Sequence, residues 1–224
     1  MPKTQWAVPD DDVMIPYIIR NEDKIFRGGT LEPYLKALFA STGITNPYHG
    51  LRHSLHVMRS AYLAARYHSD ELTPLEIREI VIAGLMHDMN HSGRAKPGFD
   101  HLEIPRALYA FSKCVQAEDS NSVGRISELV SATQFPPVKT EGLSLAERIM
   151  QDADMTQTFG VAWVQQVAVG LAEEWDMTPL QILKNQKGFL SNLKWKTEWA
   201  EKSFPPRVVQ ARIDEAEMYV AMLS

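Results

Sequence analysis

Three groups of imidazole and carboxylate side chains, each extending an apolar helical stripe, constrain this chain more than any other feature. Asn46-Pro47-Tyr48-His49-Gly50-Leu51-Arg52-His53 comes first, Leu85-Met86-His87-Asp88-Met89-Asn90-His91-Ser92-Gly93 second, and Gln151-Asp152-Ala153-Asp154 last. In the second group, Ile77, Ile80, Val81 and Gly84 line one face of a predicted helix, and further steps of three and four reach His87, Asp88 and His91. In the first, Asn46 is placed to cap a helix opened by Pro47, with Leu51, Leu55, Met58 and Tyr62 at helical spacing and His49 and His53 on a shared face. Asp154 continues the face of Ala146, Ile149, Met150 and Ala153. Charged groups aimed inward are costly unless paired. Neutral imidazoles and carboxylates are also the donors that suit a borderline or hard divalent cation. The pattern therefore calls for a helical bundle with a metal site in its core.

The rest of the chain agrees with an all-α reading. Thr73-Pro74-Leu75-Glu76, Asp100-His101-Leu102-Glu103 and Ser144-Leu145-Ala146-Glu147 have the form of capping boxes. Thr178-Pro179 opens another helix, and Pro205-Pro206 precedes a last one carrying Val209, Ile213, Ala216 and Tyr219. Gly93 to Phe99 and Gln134 to Gly142 read as loops. No alternating strand pattern, repeat or linker divides the 224 residues, so a single domain is expected. Its metal-site core runs from about 44 to 160, with an N-terminal helical extension over 1–43 and C-terminal helices over 161–224. A net charge of −5 gives no basic surface for nucleic acid, and one cysteine permits no internal disulfide. Asp10, Asp11 and Asp12 argue against a signal peptide, and Phe159 to Ala172 is too short for a membrane span. A cytoplasmic protein is expected.

The order His53, His87-Asp88, Asp154 resembles the HD-domain metal-dependent phosphohydrolases, and more closely the class I 3′,5′-cyclic nucleotide phosphodiesterases. The likeness rests on Tyr48-His49-Gly50-Leu51-Arg52-His53, His87-Asp88-Met89-Asn90-His91-Ser92-Gly93, Ala132-Thr133-Gln134 and Ala153-Asp154-Met155-Thr156. It implies a phosphodiesterase-like helical bundle and two divalent metal ions: Zn, Mn or Fe at the tighter site, and Mg or Mn at the second. His53, His87, Asp88 and Asp154 would ligate the tighter ion, with Asp88 bridging to the other. His49 would be the general acid, and His91 would lie near the bridging hydroxide with Glu103 as its partner. The substrate would be a small phosphoester, a nucleotide first; the oligomeric state is left open. Gly50 and Gln134 depart from the family's asparagine and aspartate, and no segment matches its purine-reading glutamine and aromatic clamp. Gln210 has only the residue type.

Other polar residues have plainer readings. Arg52 and Arg94, beside the motifs, are candidates for substrate phosphate. His56 reads as a packing residue, His68 as a solvated or helix-capping one, His101 as a helix-start residue near the cavity mouth, and Asp152 as a neighbour of the site. Trp163 and Trp175 read as core with Val164, Val167 and Leu171. Three alternatives to the diesterase follow from the same motifs: an HD-type 5′-nucleotidase or nucleotide phosphohydrolase, a di-iron HD-domain oxygenase, and a silent nucleotide-binding module.

Overall fold

The computed structural model describes residues 15, 17–19, 30–94 and 102–224. Most of the expected N-terminal extension, the end of the Gly93–Phe99 loop, and both Asp100 and His101 lie outside them. The described residues are helical with no strand. The helices are α1 (Glu32–Phe39), α2 (Leu51–Tyr67), α3 (Pro74–Met86), α4 (Glu103–Cys114), α5 (Val123–Ala132) and α6 (Leu145–Met155). A π-helical turn, Val164–Gly170, then leads into the short α7 (Leu171–Glu174). The chain ends with α8 (Pro179–Asn192), α9 (Glu198–Ser203) and α10 (Pro206–Leu223). None of the described helices is long and apolar enough to cross a membrane.

Local chemistry sets several of these boundaries as the sequence predicts. Thr73 and Ser144 close reciprocal capping boxes with Glu76 and Glu147. Thr178 does the same with Gln181, and Pro179 follows at the first helical position. Glu147 is also bonded to Lys139 at 2.9 Å, and these contacts outweigh its burial and hold its carboxyl down to about 2. Helix α4 differs: its cap position is Leu102, with no side-chain cap bond.

Helix α2 is the centre of the fold, packed against α3, α6 and the Thr156–Phe159 turn. Thirteen of its residues are buried, including His53 and His56, so it is enclosed on nearly every side. Its closest neighbour is α3, and Gly84 sets their spacing: a Cβ there would lie 2.9 Å from Met58 Cα. Backbone-to-backbone contact at this point brings the C-terminal end of α3, which carries His87, onto the turn of α2 that carries His53. A second apolar cluster joins Trp163, Val167, Ala168 and Leu171 to Ile182, Leu183 and Ala216, fastening the C-terminal helices together. Trp175 is outside it and 40% exposed, because α7 ends at Glu174 and turns the indole outward.

Gly84→Ala is expected to destabilise the protein by roughly 1–3 kcal/mol, the usual cost of overpacking a closed helix contact. The urea midpoint measures it, and an unchanged midpoint would mean that the α2–α3 contact yields freely.

Candidate metal centre and active site

The first ligand group is not on one helix. Helix α2 begins at Leu51 with Gly50 at its cap, and residues 46–50 form the turn before it. His49 therefore belongs to the turn and His53 to the first turn of the helix, so the shared helical face expected from their spacing does not form. Asn46 caps nothing; its amide donates to the carbonyls of His91 at 2.8 Å and His49 at 3.3 Å. Gly50 is accounted for by the same turn, since a Cβ there would lie 2.5 Å from the Asn46 carbonyl oxygen. The asparagine that the family pattern expects has no room.

Helix α3 likewise stops short of the expected stripe. Met86 is its last residue and His87 its cap, and Asn90 at φ 63° turns the chain away before His91. Asp88 and His91 thus arrive by a turn, whereas Asp154 lies on α6 as its spacing predicts.

Despite the altered supports, four groups meet. His53 Nε2 lies 3.3 Å from Asp88 Oδ2 and 3.0 Å from Asp154 Oδ1. His87 Nε2 lies 3.1 Å and 3.5 Å from the same two atoms, and 3.2 Å from His53 Nε2. A cation bonded at about 2.0–2.2 Å sets adjacent ligand atoms roughly 2.8–3.6 Å apart, the edges of octahedra and tetrahedra. Every measured separation falls in that range, and all four groups present the donor atoms such an ion needs. Both imidazoles are oriented from behind. His87 Nδ1 faces the Gly84 carbonyl at 2.9 Å, and His53 Nδ1 faces Gln157 Oε1 at 2.5 Å.

The charges are strongly interdependent. Burial opposes the imidazolium of His53, yet Asp154 and Asp88 outweigh it and raise the ring to about 9; His87 is raised for the same reason. Burial likewise opposes the ionised Asp88 and Asp154, and the two imidazoles hold both well below the usual carboxylate range.

A second group holds His49, His91 and Glu174, whose ligand atoms lie within 4.8 Å of one another. Two His and carboxylate groups could thus hold cations. In this second one, however, His49 Nδ1 and Glu174 Oε2 are 2.5 Å apart, a hydrogen-bond distance shorter than a coordination edge. Glu174 Oε1 also accepts from the backbone N–H of Tyr48 at 2.7 Å and of His49 at 2.8 Å. Burial opposes its charge, but these bonds with His49 and the turn keep it ionised. Glu174 escapes a sequence reading because it lies 125 residues from His49 with no motif around it; its only trace is an acidic pair, Glu173-Glu174, in an apolar stretch. His91 stacks on His49 at 3.9 Å, and burial followed by that neighbour lowers its ring below the ordinary value. Glu103 is not its hydrogen-bond partner: the carboxylate accepts from the Ser92 hydroxyl at 2.6 Å and the Ser92 N–H at 3.0 Å, bracing the next residue along.

These residues open on a cavity of about 610 Å³. Tyr48, His49, His53, Asp88, His91 and Asp154 supply its polar wall, and Phe135, Val167, Leu171, Trp175, Ile182 and Phe189 its apolar one. Gln186 lines it too, with Ile182 and Phe189 at helical spacing on α8. That i, i+4, i+7 stripe is a signal in the sequence for a cavity-facing side of α8. Gln210 is elsewhere, exposed and bonded to Asp214 at 2.7 Å. Arg94 and Gln134 line the cavity, whereas Arg52 is exposed on α2 and does not.

The remaining polar residues have structural partners. His56 Nε2 meets Thr156 Oγ1 at 2.9 Å. His68 occupies the C-cap of α2 but is buried, with Glu71 beside Nδ1 at 2.9 Å, so it is not solvated. Asp152 is buried, accepting from Thr197 Oγ1 at 2.7 Å and from the Lys196 N–H; burial raises it to about 6.

The family model of 3'5'-cyclic nucleotide phosphodiesterase matches residues 48–97, the segment bearing both histidine groups. No curated protein matches the chain. Among solved structures, it is similar to the phosphodiesterase domain of the RhoPDE fusion protein from the choanoflagellate Salpingoeca rosetta. The TM-score is 0.71 at 14% identity, over 100% of this chain and 97% of that one.

In chelator-treated protein, His53 titrates near 9 when folded and near its ordinary value of about 6.5 when unfolded. Its contribution to stability is therefore complete below about pH 6.5 and lost as pH rises through 9. The melting temperature in EDTA is expected to fall over that window, and less so in His53→Gln; a flat profile would mean that the carboxylates do not hold the imidazolium. The segment that carries both histidine groups is thus similar to the 3′,5′-cyclic nucleotide phosphodiesterase family, and the fold that presents them is that of a phosphodiesterase domain.

Proposed function

We propose that the protein hydrolyses a 3′,5′-cyclic nucleotide in the cavity between the ligand cluster and α8. The observation that carries this reading is that one cavity is lined both by His49, His53, Asp88 and Asp154, with His87 buried against the last three, and by Gln186 and Phe189. His53, His87, Asp88 and Asp154 would hold a divalent cation, and a second would lie beside it. When bound, the cations lower the pKa of a water and offset charge on the phosphoryl group.

The chain's own residues do the rest. Glu174 accepts the Nδ1 proton of His49 and fixes the turn that carries it, leaving Nε2 as the atom that can deliver a proton to the leaving 3′-oxygen. His91, stacked on that ring, limits its rotation. Phe189 and the apolar wall suit the flat face of a base, and the Gln186 amide can both donate to and accept from its edge. Arg94 is placed to meet phosphate oxygens at the polar side. The nucleotidase alternative drew on a missing base wall, and Gln186 and Phe189 supply one. The di-iron alternative needs further histidine ligands between His87-Asp88 and Asp154; of the two in that stretch, His91 stacks on His49 and His101 lies outside the described residues.

The test is turnover of adenine and guanine 3′,5′-cyclic nucleotides against nucleoside 5′-monophosphates with Mn²⁺, Mg²⁺ or Zn²⁺. Release of inorganic phosphate from the monophosphates alone would overturn the diesterase reading. Asp88→Ala is expected to lose bound metal and activity together, as metal analysis and turnover would show; full metal content with normal turnover would place the site elsewhere. His49→Ala is expected to keep its metal and lose roughly 10²–10⁴ in rate on the cyclic nucleotide, where an alkoxide leaves. On an aryl phosphodiester the loss is expected to be much smaller, because a phenolate departs without a proton. Equal losses would rule out the acid role.

A further inference from the structure

The two imidazoles of the ligand cluster are held from behind in different ways. His87 Nδ1 meets a backbone carbonyl, Gly84, which no substitution can remove. His53 Nδ1 meets a side chain, Gln157 Oε1, at 2.5 Å. Gln157 is buried on the Thr156–Phe159 turn that follows α6, and its amide N–H donates to Gln166 Oε1. Gln166 sits on the π-helical turn Val164–Gly170.

The polarity of this chain of contacts is determined. If His53 Nε2 faces the cation site, Nδ1 must carry the ring proton, so its neighbour must be an acceptor. Gln157 then offers oxygen to His53 and nitrogen to Gln166, and Gln166 accepts with its own oxygen. Both contacts along the path are met in one orientation of the Gln157 amide only. We propose that Gln157 is a positioning residue for the cation site, its amide fixing the His53 ring with Nδ1 protonated and Nε2 turned to the cation, and Gln166 fixing that amide. The inference rests on His53 being a cation ligand.

The test uses the full chain and Zn²⁺ alone, with affinity measured by competition against a chromophoric chelator. Gln157→Met keeps the volume and removes the acceptor; it is expected to bind Zn²⁺ about 10- to 100-fold more weakly, the usual cost of losing a group that orients a metal-bound histidine. Gln157→Glu restores an acceptor and is expected to bind at least as tightly as the wild type. Gln166→Met leaves the His53 contact but removes its brace, and a several-fold weakening is expected. In Zn²⁺-loaded protein with ¹⁵N-labelled histidine, the His53 Nδ1–H signal is expected to be protected from exchange in the wild type and in Gln157→Glu, and lost in Gln157→Met. A purely structural role would not move that signal. Wild-type affinity and an unchanged signal in Gln157→Met would overturn the inference while leaving the cation site in place, as would weaker binding by Gln157→Glu than by the wild type. Failure of the wild type to bind Zn²⁺, or equal binding by Asp154→Ala, would instead overturn the cation site itself.

Discussion

Two imidazoles lie 3.2 Å apart and each within 3.0–3.5 Å of the same two carboxylates where α2, α3 and α6 meet. Bringing such groups out of water is expensive, and their mutual attraction repays the cost only with good geometry and further hydrogen bonds. The helices around them supply both. Gly84 lets α3 touch the backbone of α2, the capping boxes of Thr73 and Ser144 fix where α3 and α6 begin, and the Gly84 carbonyl and Gln157 amide hold the ring nitrogens that face away. A cation bound there would complete the arrangement by offsetting the repulsion between the carboxylates. Much of the bundle's packing can thus be understood as the scaffold for one small, highly charged volume.

The chemistry divides between two structural units. The candidate cation ligands come from α2, the α3 end and α6, within the main apolar core. Glu174, which orients His49, and the apolar lining of the cavity come from α7 and α8, in the second cluster built on Trp163 and Ala216. The turn carrying Tyr48 and His49 is the join: it is bonded to Glu174 on one side and continues into α2 on the other.

How much of this was legible in the sequence depends on the range of the interaction concerned. Capping boxes are local, and those of Thr73, Ser144 and Thr178 lie where their residue types place them. Asp154 follows its helical stripe because α6 runs on through it. His49 and His91 do not follow theirs, because a helical period continues on paper past the point where a backbone turn ends the helix, at Gly50 in one case and Asn90 in the other. The side chains expected to converge do so while their expected supports do not form, since which residue types cluster is written in the motifs and how they are held is a matter of backbone. Glu174, Gln157 and Gln186 were missed for another reason. Each acts through a partner or cavity distant in sequence and carries no motif of its own, although the stripe of Ile182, Gln186 and Phe189 was there to be read.

The placement of Glu174 has a consequence for how this protein can diverge. Its carboxylate grips the backbone of the 46–50 turn as well as the His49 ring, so the His49 orientation and the shape of that turn change together, while the His87 ring keeps its own anchor on the Gly84 carbonyl. A piece of chain ending near Met155 would carry His53, His87, Asp88 and Asp154 yet lack Glu174, which holds the His49 ring, and Gln157, which faces the His53 ring. The residues of the cluster and the contacts that orient its rings are, in this architecture, separately heritable.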